Sequence, residues 1–383
     1  MATEQTQEAV GEKSLFRRLD TWLQLSRLTY GVPEHGRSFF FSLGGVVFAG
    51  FLLMIATGMI LAQFYNPLPE HAYQSLEKIQ SIKWATYFRA LHYWTAQGVI
   101  VAILLHVGRV FITGAYKHPR QVTWWLGVAL LGTMLMGSYF SGTVLKWDQG
   151  GFDALDHYKE SLRELGPIGA ALSESLPGSS PMNLRVYIQH ITVFPVLIVV
   201  LIVLHFYLIH AFNLSPTPWD RFSNEPEIPR SELKGKFNEH AQSIFIFSIM
   251  YYGFLATLAF FFVPPLVEAP SGAMSTAKPP WPFLWMYGFE NIWGIKAVIY
   301  ATSVLFLFLA LVPLIDRKQE RKWKARKGIL ILGGVVAFSV IALTLHGWLA
   351  TPQLHQHEHE EDGHTHDEEP VGPKSGNTEH DTR

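Results

Sequence analysis

The sequence predicts an all-α integral membrane protein that crosses the bilayer seven times. Three observations lead there. Only 16% of the 383 residues are charged, against roughly 25% in soluble domains. Those charges are segregated: no Asp, Glu, Lys or Arg occurs over Ser38–Pro69, Gln121–Leu145, Val186–Trp219 or Gly328–His357, and each run holds the roughly 20 apolar residues a membrane helix needs. Lys and Arg gather in alternate loops, as the positive-inside bias requires.

Taken in order, residues 14–29 read SLFRRLDTWLQLSRLT, with Leu15, Phe16, Leu19, Trp22 and Leu23 on one helical face and arginines on the other. That pattern suits a helix lying on a membrane surface. The first 13 residues are polar and lack an apolar h-region, so no cleavable signal is expected. Spans are expected near 39–64, 89–113, 123–145, 184–212, 242–265, 294–315 and 328–350. Basic residues crowd the N-terminal segment and the loops after spans two, four and six, the last with Arg317, Lys318, Arg321, Lys322, Lys324, Arg326 and Lys327. The N-terminus is therefore expected in the cytoplasm and, with seven spans, the C-terminus outside. The acidic, histidine-rich tail from 351 to 383 reads as low-complexity and disordered, with weak metal binding as an alternative. A net charge of −1 argues against nucleic acid. The chain has no cysteine, which excludes disulfides, thiolate metal sites, iron–sulfur ligation and thioether-linked haem.

Two spans carry paired histidines. In span two His92 and His106 stand 14 residues apart, nearly four full turns, so both face one way about 21 Å apart along the axis. In span four His190 and His205 stand 15 apart, which on an ideal helix turns the second about 60° from the first. Pro195 lies between them, and a local rewinding there would restore the common face. Both spans run from outside to inside, so His92 is level with His190 and His106 with His205. Two levels of two facing imidazoles suit the trans axial positions of iron porphyrins in a bundle core. Zinc would be left short of tetrahedral coordination. Arg89, Arg109 and Arg185 stand near the membrane faces, where propionates would point. In span one Gly44, Gly45 and Gly58 place small residues about 14 apart, which lets a flat ring approach the backbone.

With these residues in view, the chain resembles the cytochrome b/b6 family, the di-haem core of quinol–cytochrome c oxidoreductases. The matching pieces are LGG and ATG in span one, RALH and LLHVGR in span two, TGAYKHPRQVTW after it, WDQ at 147–149 and LRVYIQH in span four. The 15-residue interval is similar to the chloroplast and cyanobacterial type. Seven spans fit a fusion of that b6 with its three-helix partner: residues 1–38 an N-terminal segment, 39–215 the four-helix di-haem bundle, 216–350 the three-helix domain. The resemblance implies His92 and His190 on an outer haem and His106 and His205 on an inner one, both non-covalent b-type. It also implies an outer quinol-oxidising pocket and an inner quinone or menaquinone pocket, Rieske iron–sulfur and c-type cytochrome partners, a dimeric complex, and a bacterial cytoplasmic membrane.

Three departures stand out. Ser42 occupies the position where photosynthetic relatives link an extra haem to cysteine. Lys146 precedes WDQ in place of proline. The outer-pocket motif Pro-Glu-Trp-Tyr is replaced by Pro279, Pro280, Trp281 and Pro282, so the carboxylate that takes a quinol proton is missing. Glu290, Tyr287, Glu268 and Asp148 are the nearby titratable candidates, with Trp281 in the pocket wall. Inside, His210 stands where mitochondrial-type relatives hold quinone, with Glu239, Lys117 and Arg120 as proton or head-group contacts. A second reading keeps the haems without bifurcation, as a conduit between quinone and periplasmic redox subunits. A third, a haem-free transporter or structural subunit, leaves the paired histidines unexplained.

Overall fold

The computed structural model describes residues 30–173, 180–271 and 278–351. The amphipathic stretch 14–29 and the tail beyond Thr351 lie outside these residues. Seven helices are long and apolar enough to cross a membrane. They are α1 (Phe39–Ala62), α3 (Lys83–Thr113), α4 (Gln121–Val144), α7 (Met182–Phe212), α8 (Phe237–Phe261), α10 (Lys296–Ile315) and α11 (Lys327–Leu349). Four shorter helices lie between them: α2 (Pro69–Ser81), α5 (Gln149–Arg163), α6 (Pro167–Ser173) and α9 (Leu284–Trp293). Two short strands, β1 (Gly31–Val32) and β2 (Gly235–Lys236), pair antiparallel and tie the entrance of α1 to the entrance of α8.

The seven expected spans are all present. Helix α3 starts six residues before its expected span, and α8 starts five before. Hydropathy marks the stretch that tolerates lipid, whereas the helix continues as long as its backbone hydrogen bonds do.

The main core joins α1, α3, α4, α7 and α8 through residues such as Val46, Val99, Leu131, Ile198 and Tyr252. Small residues set the close approaches, because association in lipid relies on packing rather than hydrophobic expulsion. Gly45 is one: a Cβ there would sit 2.6 Å from Ile244 of α8. Its role is thus helix contact with α8. Helices α9 and α11 meet backbone to backbone, since a Cβ on Gly347 would lie 2.3 Å from the Leu284 carbonyl.

At the end of α3 a buried charge cluster closes the fold. Asp316 receives Lys117 at 2.6 Å, Arg326 at 2.8 Å and the Tyr116 hydroxyl at 2.6 Å. Arg326 also donates to the carbonyls of Phe111 and Ile112, both at 2.7 Å. A cation therefore satisfies helix carbonyls that have no partner within the helix. Arg120 similarly donates to the carbonyls of Phe212, Asn213 at 3.0 Å and Pro226 at 2.8 Å. Lys117 and Arg120 are thus engaged in scaffolding the loops.

Candidate functional site

Two ends of the α1–α3–α4–α7 bundle carry the paired histidines. At one end the rings of His92 (α3) and His190 (α7) lie 6.4 Å apart, centroid to centroid, with their planes at 63°. At the other end His106 and His205 are within electrostatic reach of each other. The odd interval in α7 is resolved locally. Residues Gln189–Val193 form a π-helical segment ahead of Pro195. A π turn holds about one residue more than an α turn, so the 15-residue interval behaves as one of 14.

Each histidine has its own glycine. A Cβ on Gly58 would lie 3.3 Å from His92 Cε1, and one on Gly44 would lie 3.0 Å from His106 Cε1. On the opposite wall, Gly142 faces His190 at 3.0 Å and Gly127 faces His205 at 3.6 Å. Gly44 and Gly58 stand 14 apart, like their histidines on α3, and Gly127 and Gly142 stand 15 apart, like theirs on α7. Gly127 and Gly142 were not singled out from the sequence, yet that matched interval was the signal.

Two hydroxyls orient the imidazoles of the His92 end. Thr57 donates its proton to the Leu53 carbonyl at 2.8 Å, so its oxygen accepts from His92 Nδ1 at 2.9 Å. Ser141 donates to the Gly137 carbonyl at 2.7 Å and accepts from His190 Nδ1 at 2.9 Å. With the proton held on Nδ1, each Nε2 keeps its lone pair for a metal. Thr57 and Ser141 are further residues that the sequence reading missed.

These features fit a haem. Two imidazoles trans across one metal, each at a metal–nitrogen distance of about 2 Å, have ring centroids roughly 6 Å apart. The four glycines leave the room that a Cβ would fill. Arg89 and Arg109 each hold a buried Nε with no hydrogen-bond partner among the described residues, which matches an anionic propionate. Arg89 also donates to the Pro264 carbonyl, and Arg109 lies 4.8 Å from the Phe41 ring centroid. Arg185 is half-buried on α7, one turn before the π segment.

Beside the His92 end lies the WPF turn that leads into α9. Trp281 donates its indole N–H to Gln97 Oε1 at 2.7 Å, and the Tyr139 hydroxyl donates to the same oxygen at 3.0 Å. The Phe283 ring packs on Tyr139 and Phe140, and Phe140 also packs on Tyr158 of α5. Tyr287 and Glu290 follow Phe283 at helical steps, and both are buried. Glu290 Oε2 sits 3.0 Å from His157 Nε2. Asp148 is occupied elsewhere: it caps α5 through Gly151 N at 2.9 Å and pairs with Lys146 at 3.2 Å. Lys146, the departure from proline, thus neutralises a fully buried carboxylate. Glu268 is exposed and offers its backbone carbonyl to Gln149.

At the His106 end His210 is exposed and meets the Tyr30 ring edge-on at 4.6 Å. Glu239 belongs to the capping box of α8 and pairs with Arg37 at 3.6 Å. Two histidines absent from the sequence reading join them. His240 Nδ1 donates to the Gly36 carbonyl at 2.6 Å. His35 Nδ1 stands 3.8 Å from Asp220. Burial pushes the His35 imidazole down to about 4 against the pull of Asp220. A cavity of about 470 Å³ lined by Phe40, Phe41, Leu105, Arg109 and Trp219 opens nearby.

Residues 97–270 match the family model described as cytochrome b(N-terminal)/b6/petB. Cytochrome b6 of Heliobacterium mobile is 32% identical over 189 residues, covering 48% of this chain and 88% of the relative. Cytochrome b6 of Pyropia yezoensis is 33% identical, covering 48% and 87%. A solved chain from a structure titled "Hyperthermophilic respiratory Complex III" superposes with a TM-score of 0.71 at 23% identity, over 90% of this chain and 92% of that one. Its fold thus reaches well beyond the segment shared with the b6 relatives. Sequence, paired histidines and bundle agree, and the chain belongs to the cytochrome b/b6 family.

Proposed function

We propose that this chain is the di-haem cytochrome b subunit of a bacterial quinol-oxidising complex, with His92 and His190 holding one b-type haem and His106 and His205 the other. Family membership implies b-type haem. The observation that carries the count and the ligands is the set of four imidazoles, each backed by a glycine at the interval of its own helix. Each haem, when bound, supplies a one-electron site, and two on one axis lead electrons across the bilayer. Arg89, Arg109 and Arg185 hold the propionates. The glycines exclude side chains from the ring faces, and Thr57 and Ser141 hold the outer imidazoles in the ligating tautomer.

The His92 end faces the periplasm, with the N-terminus in the cytoplasm and the C-terminus outside. Its quinol pocket is walled by Trp281, Phe283 and Tyr139, with Tyr287 and Glu290 as the titratable groups. The His106 end takes quinone against His210, with Glu239, His35 and His240 as proton carriers. Partners are a Rieske iron–sulfur protein and a c-type cytochrome in a dimeric complex. A second reading rests on Pro280, which puts a group without a proton-accepting atom where relatives carry glutamate. There the subunit is a non-bifurcating conduit between the quinone pool and periplasmic redox subunits.

The test is a pyridine haemochromogen assay with a reduced-minus-oxidised spectrum. About two b-type haems per chain are expected. His92→Ala or His190→Ala should leave one. Retention of both in either variant would overturn the ligand assignment.

A further inference from the structure

Glu290 and His157, 133 residues apart in the sequence, join α9 to α5. The pair is graded in exposure: the glutamate side chain is 6% exposed and the histidine side chain 30%. It lies against the aromatic wall already described, because Phe140 touches both Phe283, at the start of α9, and Tyr158, the neighbour of His157. Glu290 also shares a helical stripe with Phe283 and Tyr287, at seven and three residues. A carboxylate thus sits behind the pocket wall, with an imidazole between it and water.

We propose that Glu290 and His157 form a proton exit from the outer quinol pocket, replacing the carboxylate that Pro280 leaves out. The inference rests on the quinol-oxidising reading of that pocket. Glu290 is the catalytic acceptor and His157 a positioning residue that acts through it. In the step, the two O–H bonds of the quinol break in turn, each proton forming an O–H bond on the Glu290 carboxylate, which discharges through His157 before it takes the second, with each bonding pair left on the quinol oxygen. Electrons leave to the iron–sulfur and haem acceptors of the complex. The proton then passes from Glu290 to Nε2 of the neutral His157 imidazole, and a proton leaves to water from the exposed side of the ring, so the relay turns over only while His157 is unprotonated.

The surroundings suit this work. Burial lowers the affinity of His157 for a proton, but the hydrogen bond and charge of Glu290 outweigh it, helped by Glu160 and Asp156, and the imidazole ends above its usual value of 6.5. Asp156 is paired with Lys159 on the same helix, and Glu164 with Lys296 at the start of α10. Helices α4 and α6, which also pack on α5, present no charged side chain there. An ion pair serving only to fasten α5 to α9 would leave the pH response of turnover untouched.

The experiment measures kcat and KM for short-chain benzoquinol and naphthoquinol across pH, on the purified complex with all its subunits. Wild type should slow on the acid side, with an inflection above 6.5 as the pair takes up protons and blocks the exit. His157→Gln keeps a hydrogen-bond donor to Glu290 but does not titrate. It should lower kcat about tenfold near neutral pH, leave KM little changed, retain both haems and lose the inflection. Unchanged kcat and an unchanged inflection in His157→Gln would overturn the relay. Should that variant fail to assemble, the wild-type profile decides: a rate flat from about pH 5.5 to 8.5 overturns the relay. Absence of quinol oxidation in a wild-type complex carrying its haems would instead overturn the reading of the pocket.

Discussion

The two ends of the bundle share one plan and differ in how the imidazoles are held. At the His92 end both Nδ1 atoms donate to hydroxyls whose own protons are committed to helix carbonyls. At the His106 end the Arg109 guanidinium approaches His106 Nδ1 at 3.5 Å, and among the described residues no side-chain hydroxyl accepts from His205. Under the proposed ligation the ligand type is the same at both ends, but the partners behind the imidazoles are not. Those partners set imidazole basicity and orientation, so the two proposed haems are expected to differ in potential.

The strongest way to break the comparison is to fill a cradle. Gly142→Leu places bulk against His190 and should abolish haem occupancy at that end alone, leaving about one b-type haem per chain. Gly44→Leu should do the same at the other end, and loss of both haems from either variant would show that the ends do not behave independently. A smaller effect is expected from Thr57→Val combined with Ser141→Ala. Haem should stay, its affinity should fall about 10- to 100-fold, and the potential of only one of the two haems should shift in a redox titration. The smallest contrast concerns pH. Burial opposes ionisation of Asp316, but Lys117, Tyr116 and Arg326 outweigh it and hold the carboxyl below its ordinary value of 3.8. Its stabilising contribution is present above that value and lost as pH falls through the lower, folded-state one. Thermal melts should therefore show no contribution from this cluster to pH dependence between about pH 5 and 8, and a loss below pH 3.8 that Asp316→Asn lacks.

Much of this was legible in the sequence because membrane helices obey simple periods. Length and charge segregation placed seven spans, and the intervals of 14 and 15 placed the four histidines. What escaped has physical reasons. The rewinding of α7 was expected from Pro195 and the 15-residue interval, but nothing in Gln189–Val193 marked these five residues as the ones that form the π turn. Thr57 and Ser141 look like ordinary small membrane residues until the hydroxyl direction is known. His157 and Glu290 meet only through the packing of two interfacial helices, which no local pattern specifies. Lys117 and Arg120 read from sequence as proton or head-group contacts, and their bonds to Asp316 and to loop carbonyls, which no local pattern specifies, appear only in the fold.

The widened turn in α7 has a broader meaning. A rigid helix counts strictly: one residue inserted anywhere rotates everything beyond it by about 100°. Here the extra residue is stored in five residues that include His190, so the far half of the helix keeps its heading. The segment acts as a slip joint, letting insertions or deletions around it be absorbed without turning His205 away from its partner. A chain with 14 residues between these histidines and no π turn would therefore present them in the same direction.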